Sequence, residues 1–267
     1  MNRSTKCIPL ALGATALAVL LFSVACGTTS TSASRVTEMR VVHLSPDTAN
    51  LDLLIDNKVV FSDLAYGAPT PFSSITAVKH DLKLNLSGAP TNILDSPQEA
   101  FVGNTSYTYL IVGLSSSSGG IRANKLTDDH TAATDKGNFK LRVVNGSPTA
   151  GPVDVYIVAP GTSFTGATPV KATIGGLAEV SAADYQSLAS GSYDIYITPA
   201  GDQTCLTNPK QQPPPLPPLI SCFVNLDGRN NTGVPSFQAG QNRTLIMLDQ
   251  VTTFGAYTTL PMLADLN

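Results

Sequence analysis

The stretch Arg40-Val41-Val42-His43-Leu44-Ser45-Pro46 returns, at an offset of 102, as Arg142-Val143-Val144-Asn145-Gly146-Ser147-Pro148. Asp52 and Asp154 follow the two copies at the same offset. Further pairs continue the match at two larger offsets, which indicates one structural unit present twice. The pairs at an offset of 113 are Leu64-Ala65 with Leu177-Ala178, Phe72 with Tyr185, Ile75 with Leu188 and Asp81 with Asp194; those at 137 are Gly103 with Gly240, Leu126 with Leu263 and Asp128 with Asp265.

The growth of the offset places two insertions in the second copy. The step from 102 to 113 places a shorter one between Asp154 and Leu177, and the step from 113 to 137 places a longer one between Asp194 and Gly240. Because the first copy has no counterpart to them, we expect additions to a shared framework, and the longer one is expected to be a surface loop.

The longer insertion contains Cys205 and Cys222, with a proline tract at 211–218 between them. The N-terminal export signal described below accounts for the other two cysteines. Two cysteines that remain in an exported chain usually pair, so we expect a disulfide that closes the base of a loop over residues 201–224. Such a bond contributes about 3 kcal/mol by restricting the unfolded chain. The proline tract is either a stiff surface loop or a polyproline II ridge that a partner recognises.

Apolar and polar residues alternate over much of the chain. In residues 82–86 the leucines share one face, and in residues 153–157 the two valines and the isoleucine do the same. Alternation with β-branched and aromatic residues is typical of half-buried strands. Asp56-Asn57 predicts a tight turn, and only residues 177–189 offer a short helix. Further strands are expected at 39–44, 107–114, 139–145, 193–197, 244–248 and 257–260.

Many short strands without long helices between them predict an all-β fold. We expect two tandem antiparallel β-sandwich domains of immunoglobulin-like or transthyretin-like type, each of about seven strands. The expected segments are a signal peptide at 1–25, a tether at 26–37, a first sandwich repeat at 38–129, a linker at 130–138 and a second repeat at 139–267.

The N-terminus has the pattern of an export signal. A basic head precedes an apolar run over residues 8–24, and the small residues Ser23 and Ala25 precede Cys26. Small residues before a cysteine resemble a bacterial lipobox, in which the cysteine is acylated. An ordinary signal peptide or an N-terminal anchor helix is the alternative. We expect lipidation at Cys26, and therefore a protein exported to the bacterial cell envelope, at the outer membrane, the cell surface or the periplasm.

The composition offers little for catalysis or for nucleic-acid binding. The net charge of −3 is spread along the chain, which argues against a nucleic-acid surface. No Gly-x-Ser-x-Gly motif of a serine hydrolase occurs. Of the three histidines, His43 has Asn145 as its counterpart, so the fold does not need histidine there. We expect no catalytic residue, no cofactor and no metal, and a protein that is not an enzyme.

Two other sets of side chains leave alternatives open. Residues 128–130 and Asp135 bring metal-type ligands together, although a solvated linker between two domains accounts for them as well. Tyr156 and Tyr196 either contact sugar rings at the surface or cover a core or an interdomain contact.

The repeated Asp52 and Asp154 lie near Arg40 and Arg142 in the pattern. We expect each aspartate to form a salt bridge or a turn-capping hydrogen bond. A carboxylate pair that hydrolyses sugars is disfavoured, because two separate domains would have to supply one carboxylate each within a few ångströms.

The pattern Arg-Val-Val-x-x-Ser-Pro-x-x-x-x-x-Asp, followed by Leu-Ala, an aromatic residue and a strand with aspartate, resembles a known family. It resembles the bacterial envelope domain called domain of unknown function 4397, which is often found in tandem in lipoproteins. The resemblance covers nearly all of residues 38–267 and implies no activity and no catalytic residues. The matching residues are Arg40, Ser45, Pro46, Asp52, Leu64 and Tyr66-Gly67 in the first copy, and Arg142, Ser147, Pro148, Asp154, Gly191-Ser192-Tyr193-Asp194 and Ile195 in the second.

We therefore expect a lipid-anchored bacterial cell-envelope protein that is a non-catalytic binding, adhesion or structural module. Its expected partners are a membrane, through the anchor at Cys26, and an unidentified envelope protein or glycan. The alternative is a secreted hydrolase or carbohydrate-active protein with its site in the second domain, which would be a deep pocket with convergent polar groups.

Overall fold

The computed structural model describes residues 35–174, 185–203, 224–226, 234–249 and 262–266. All regular elements in these ranges are β-strands. The described residues contain no helix long and apolar enough to cross a membrane. Four four-stranded sheets and one two-stranded ribbon are present among them. The all-β, sandwich-type fold expected from the period-two alternation is confirmed.

The first half of the chain, residues 35–129, forms two four-stranded sheets from eight strands: β1 Val36–His43, β2 Leu51–Ile55, β3 Lys58–Leu64, β4 Ser73–Thr76, β5 Lys79–Leu86, β6 Asn92–Ala100, β7 Ser106–Gly113 and β8 Ile121–Asp128. The first inner sheet has the order β4-β1-β7-β8, and the first outer sheet has the order β3-β2-β5-β6. Asp56 and Asn57 form the predicted tight turn between β2 and β3, both with positive φ.

The described residues of the second half, 138–266, form ten strands: β9 Asn138–Asn145, β10 Val153–Val158, β11 Lys171–Ile174, β12 Gln186–Ala189, β13 Gly191–Ser192, β14 Asp194–Pro199, β15 Val224–Leu226, β16 Ser236–Phe237, β17 Asn242–Met247 and β18 Met262–Leu266. The second inner sheet is β12-β9-β17-β18, the second outer sheet is β11-β10-β14-β15, and β13 pairs with β16. The strand order of both large sheets repeats that of the first half.

One strand pair in each inner sheet is parallel, which differs from the antiparallel expectation. β1 pairs in parallel with β7, and β9 pairs in parallel with β17. A parallel pair needs a long crossover, and here the chain builds the outer sheet between the two strands. Alternation in the sequence reports which residues are buried, but it does not report the direction of the neighbouring strand.

Three apolar clusters hold the sheets in four layers, with the inner sheets between the outer ones. The first core lies between the first outer and inner sheets and includes Met39, Leu53 and Tyr109. The second core lies between the second inner and outer sheets and includes Phe139, Val155 and Ile197. The interface cluster joins the two inner sheets: Val42, Leu44, Leu110, Val112, Leu126, Val144, Ile246 and Leu248.

Strand β7 is buried along its whole length because both of its faces are covered. Tyr107 and Ile111 face the first core, while Leu110 and Val112 face the interface cluster. Burial on both faces explains why the strand is an almost continuous apolar run. The interface cluster joins the halves, and residues 34–267 form one compact unit. Separate folding of domains 38–129 and 139–267 therefore stays a prediction.

Strand register corrects one pair of the repeat. Arg40 lies opposite Thr108 and Arg142 lies opposite Thr244, so the offset in β17 is 136. The counterpart of Gly240 is therefore Asn104 and not Gly103. Asn104 and Gly240 both have positive φ, which asparagine tolerates better than most residues. The second insertion, counted up to Gly240, is therefore one residue shorter than the sequence offsets indicate.

The structure also locates the insertions between strands. Leu53 lies opposite Phe61 and Val155 opposite Lys171, so most of the first insertion lies between β10 and β11. Leu82 pairs with Ser96 and Ile195 with Leu226, so most of the second insertion lies between β14 and β15. Several predictions fall outside the described residues and stay predictions: the signal and Cys26, the Cys205–Cys222 disulfide, the proline tract and a strand at 257–260. The short helix expected over 177–189 is wrong at its C-terminal end, because Gln186–Ala189 forms strand β12, which pairs with β9. The part of that prediction at 177–184 lies outside the described residues.

Candidate functional site

Both insertions belong to the second outer sheet. The first forms the connection at 159–170 between β10 and β11, and the second begins after β14. β10 and β14 are antiparallel, with Val153 opposite Pro199 and Val158 opposite Asp194. The two insertions therefore leave the sheet at opposite ends of this strand pair.

The outward face of this strand pair is aromatic in the second half alone. Tyr156 and Tyr196 lie opposite each other, where the first half has Leu54 opposite Lys83. Phe164, from the first insertion, covers both rings, with ring centroids 5.1 Å from Tyr156 and 4.5 Å from Tyr196. We call these three residues the aromatic cluster.

The aromatic cluster is closed to solvent. Tyr156 and Tyr196 are each 1% exposed and Phe164 is 4% exposed. Of the two roles considered for the tyrosines, surface contact with sugar rings is wrong for this conformation, because the inserted loop covers them. The sequence did not indicate this cover, since Phe164 has no counterpart in the first half.

Gln203 brings the two insertions together above the sheet. Its Nε2 donates to the carbonyl oxygen of Ala167 at 3.0 Å and lies 3.3 Å from the Tyr156 hydroxyl oxygen. The Gly166 amide donates to its Oε1 at 2.9 Å. One amide side chain at the start of the second insertion therefore fastens the first insertion over the aromatic cluster.

Asp52 and Asp154 each cap a turn, which confirms the turn-capping hydrogen bond that was one of the two expectations for them. Asp154 Oδ2 accepts the Gly201 amide at 2.8 Å, and Asp52 Oδ2 accepts the Gly88 amide at 3.4 Å. Gly88 and Gly201 match at the offset of 113 and both have positive φ, so they extend the repeat. Asp52 Oδ1 also accepts the Asp63 amide, and these hydrogen bonds lower the pKa of Asp52 despite an opposing effect of desolvation.

The salt-bridge expectation for these aspartates is wrong, because Arg40 and Arg142 both bind Asp128. Arg40 Nη2 lies 3.3 Å from Asp128 Oδ2, and Arg142 Nη2 lies 2.5 Å from Oδ1. The Asp128 side chain is fully buried, and the arginine side chains are 5% and 3% exposed. The arginines point toward the facing inner sheet, whereas Asp52 and Asp154 lie on the outer sheets. We call these three residues the charged triad.

Threonine hydroxyl groups and aromatic rings make further contacts with the charged triad. Thr108 donates its hydroxyl to Asp128 Oδ2 at 2.6 Å and accepts from Arg40 Nε at 2.7 Å. Its counterpart Thr244 accepts from Arg142 Nε at 3.0 Å. The rings of Phe72 and Tyr185, which the sequence paired at an offset of 113, each lie 4.6 Å from an arginine guanidinium carbon. These cation–π contacts confirm that pair.

Of the residues considered for a metal site or a solvated linker, Asp128 is buried, whereas His130 and Asp135 are exposed. Asp128 belongs to the charged triad, and Asp129 accepts from Lys140 Nζ at 2.6 Å and from Thr131. His130 is exposed beside Phe72. In the part of the chain that the structure describes, no group of three or more His, Cys, Asp or Glu side chains has a metal-binding arrangement.

Residues 37–156 match the family model described as Domain of unknown function (DUF4397). This part of the chain is therefore similar to that domain family. The match runs through the whole first half and on through β9 into β10, so it includes all three members of the charged triad. No curated protein matches the chain.

His43 and Asn145 occupy equivalent positions in β1 and β9 of the DUF4397 match. His43 Nδ1 accepts the Ser45 amide at 3.3 Å, and Asn145 Oδ1 accepts the Ser147 amide at 3.1 Å. An amide oxygen thus replaces a ring nitrogen in the same hydrogen bond. This agrees with the expectation that the fold does not need histidine at this position.

His43→Asn is expected to fold and to reduce the loss of stability in acid. Burial lowers the pKa of His43 from its ordinary value of 6.5, against a raising effect of the Thr48 and Ala49 backbone. The unfolded chain therefore binds a proton more readily than the folded one, and the free energy of unfolding falls as the pH drops below 6.5. Asparagine does not titrate.

Urea unfolding at about pH 8 and about pH 5 measures this difference. The exposed His130→Asn variant is the control and should keep the acid dependence of the wild type. An equal loss of stability in His43→Asn and in the wild type would show that His43 is not the source.

Proposed function

We propose that this is a lipid-anchored bacterial cell-envelope protein whose second half carries the binding surface. The protein acts as a non-catalytic binding, adhesion or structural module. The first half supplies the repeated framework next to the tether, and the two inserted loops of the second half supply the part that contacts an envelope protein or a glycan.

The observation that carries this proposal is the difference between two otherwise equivalent outer sheets. Both sheets have the same strand order and the same aspartate-capped turns, but among the described residues only the second carries an inserted loop, 159–170, over the aromatic cluster. Loops added to a rigid sheet framework are the usual place for binding residues. The framework itself needs neither the loops nor the aromatic cluster, since the first half folds the same sheets without them.

The positions of the repeated carboxylates favour binding over hydrolysis. Asp52 lies on the first outer sheet and Asp154 on the second, with both inner sheets between them. A glycoside hydrolase needs its two carboxyl groups within about 10 Å of each other. Each of these aspartates is also engaged with a backbone amide of its own half.

Cys26→Ala is expected to abolish acylation and to release the protein from the membrane fraction. Ser23 and Ala25 still offer small residues at an ordinary signal cleavage site, so the variant is exported without a lipid. Incorporation of a labelled fatty acid, followed by fractionation of a bacterial host, measures both effects.

Cys7→Ala is the matched control, because Cys7 lies inside the expected signal peptide and leaves with it. This control should keep the fatty-acid label and the membrane location. A label that persists in Cys26→Ala, or an unmodified Cys26 in the mass spectrum of the wild type, would refute lipid anchoring.

A further inference from the structure

Three valines are exposed at one end of the first half. Val36, Val78 and Val102 expose 51%, 54% and 60% of their surface. They are three of the five large apolar residues that are exposed among the described ranges, and the other two, Val59 and Val60, lie on the edge strand β3.

Backbone hydrogen bonds hold the three valine segments side by side. The Asn104 amide donates to the Val36 carbonyl oxygen at 2.9 Å, and the Phe101 amide donates to the Val78 carbonyl oxygen at 3.1 Å. Since residues 101–104 contact both other segments, the three exposed valines lie on neighbouring segments of the chain, which we call the valine end. Exposed apolar residues that are grouped in this way mark a contact surface more often than scattered ones do.

Two cations border the valine end. Arg35 directly precedes Val36, and Lys79 directly follows Val78; both are exposed. Lysine and arginine next to apolar side chains suit a membrane surface, because the charged group reaches the lipid phosphates while the valines enter the headgroup region.

The chain also leads from this end to the proposed anchor. Arg35 follows Cys26 by nine residues, and nine extended residues span at most about 30 Å. A lipid at Cys26 therefore keeps the valine end within about 30 Å of the membrane surface. Arg35 also packs against Gly103, where an added Cβ would lie 2.5 Å from the arginine Cβ, so the chain enters next to Val102.

We propose that the valine end docks on the surface of an anionic lipid bilayer. This inference rests on the proposed anchoring at Cys26. Acyl chains alone hold the protein near the membrane, while the valine end fixes which side of the first half faces the lipid. Docking of this kind buries side chains about 5–10 Å into the boundary between headgroups and acyl chains.

Val102→Trp tests the proposal, because the chain has no tryptophan of its own. The mature acylated protein, which begins at Cys26, is placed in phosphatidylglycerol vesicles with brominated acyl chains, which quench indole emission at short range. The expected emission is about twofold lower than in vesicles without bromine, as for a side chain at the acyl boundary.

Ser118→Trp is the matched control, since Ser118 is exposed in the β7–β8 connection at the far end of β7. Its emission should not change with bromine. The mass of the same sample reports acylation of Cys26. Equal emission with and without bromine for both variants, in an acylated protein, overturns docking and leaves anchoring intact. An unmodified Cys26 refutes anchoring. In that case, quenching of the Val102→Trp indole by the added brominated vesicles still supports docking, and unchanged emission overturns it.

Discussion

Asp128→Asn is expected to lower the free energy of unfolding by about 3–5 kcal/mol. The substitution keeps the shape of the side chain and removes its charge. The Arg40 and Arg142 guanidinium groups then remain buried between the inner sheets and lose their ion pairs with Asp128. Loss of a buried ion pair is far more costly than the loss of an exposed one, so both halves should be affected.

Urea or thermal unfolding measures the effect, and Asp129→Asn is the control. Asp129 is the next residue and pairs with Lys140, but their side chains are 33% and 17% exposed. Loss of such a partly exposed pair should cost at most about 1 kcal/mol. Similar losses for the two variants would contradict a special role of the charged triad.

A third variant separates charge from packing. Arg40→Met, Asp128→Leu and Arg142→Met together replace all three charges with apolar side chains of similar size. Its stability should lie within about 1 kcal/mol of the wild type or above it, as for other buried ion clusters replaced in this way. A loss as large as that of Asp128→Asn would mean that packing, and not the loss of the ion pairs, explains the first result.

The repeat predicted most of the framework because equivalent residues make equivalent contacts in both halves. Phe72 and Tyr185 cover equivalent arginines, and Ile75 and Leu188 lie opposite equivalent positions in β1 and β9. Alternation placed the strands because burial on one side of a sheet follows the two-residue period. The parallel pairs were missed, since they depend on which distant strands meet.

The partner of the two arginines could not be derived from their local pattern. Asp52 and Asp154 are their neighbours in sequence, but they lie on the outer sheets. Asp128 meets both arginines only because the two inner sheets face each other. Packing of one half on the other thus decides which carboxylate the arginines bind. The repeat could not predict this, because it describes the residues within each half and not the contact between the halves. An arginine repeated at a strand position that faces away from its own core is one signal of such an interface.

The candidate site escaped prediction for a related reason. The sequence offered Tyr156 and Tyr196 as aromatic residues with two alternative roles, and strand pairing shows that they replace Leu54 and Lys83 of the first half. Phe164 and Gln203 lie in inserted segments or next to them, where the repeat offers no counterpart for comparison. Their roles depend on how a loop folds back over the sheet, which local pattern does not specify.

Phe164→Ala is the second substitution with a large expected effect. Removal of a fully buried phenylalanine ring costs about 3–5 kcal/mol where the surroundings stay in place. The ring is stacked on Tyr196 and tilted against Tyr156, and the rest of its loop is held by Gln203 and by a hydrogen bond from the Gly161 amide to Asp194. Because these polar contacts alone then hold the loop, we expect the loop to open locally and the tyrosines to become accessible.

Two measurements distinguish opening of the loop from general unfolding. Amide hydrogen exchange should rise in residues 159–170, while exchange in β1 and β7 of the first half stays at the wild-type level. Thr165→Ala is the matched control, because Thr165 is exposed in the same loop and its side chain makes no hydrogen bond within the described residues. It should leave exchange and stability unchanged.

The same pair of variants tests the aromatic cluster as part of the binding surface. If the partner contacts the closed loop, Phe164→Ala should weaken capture of that partner from envelope extract, and Thr165→Ala should not. If the partner contacts the tyrosines themselves, the open loop should strengthen capture, because the free energy needed to move Phe164 away is no longer required. Unchanged capture by both variants would remove the aromatic cluster from the binding surface and leave the second insertion as its remaining part.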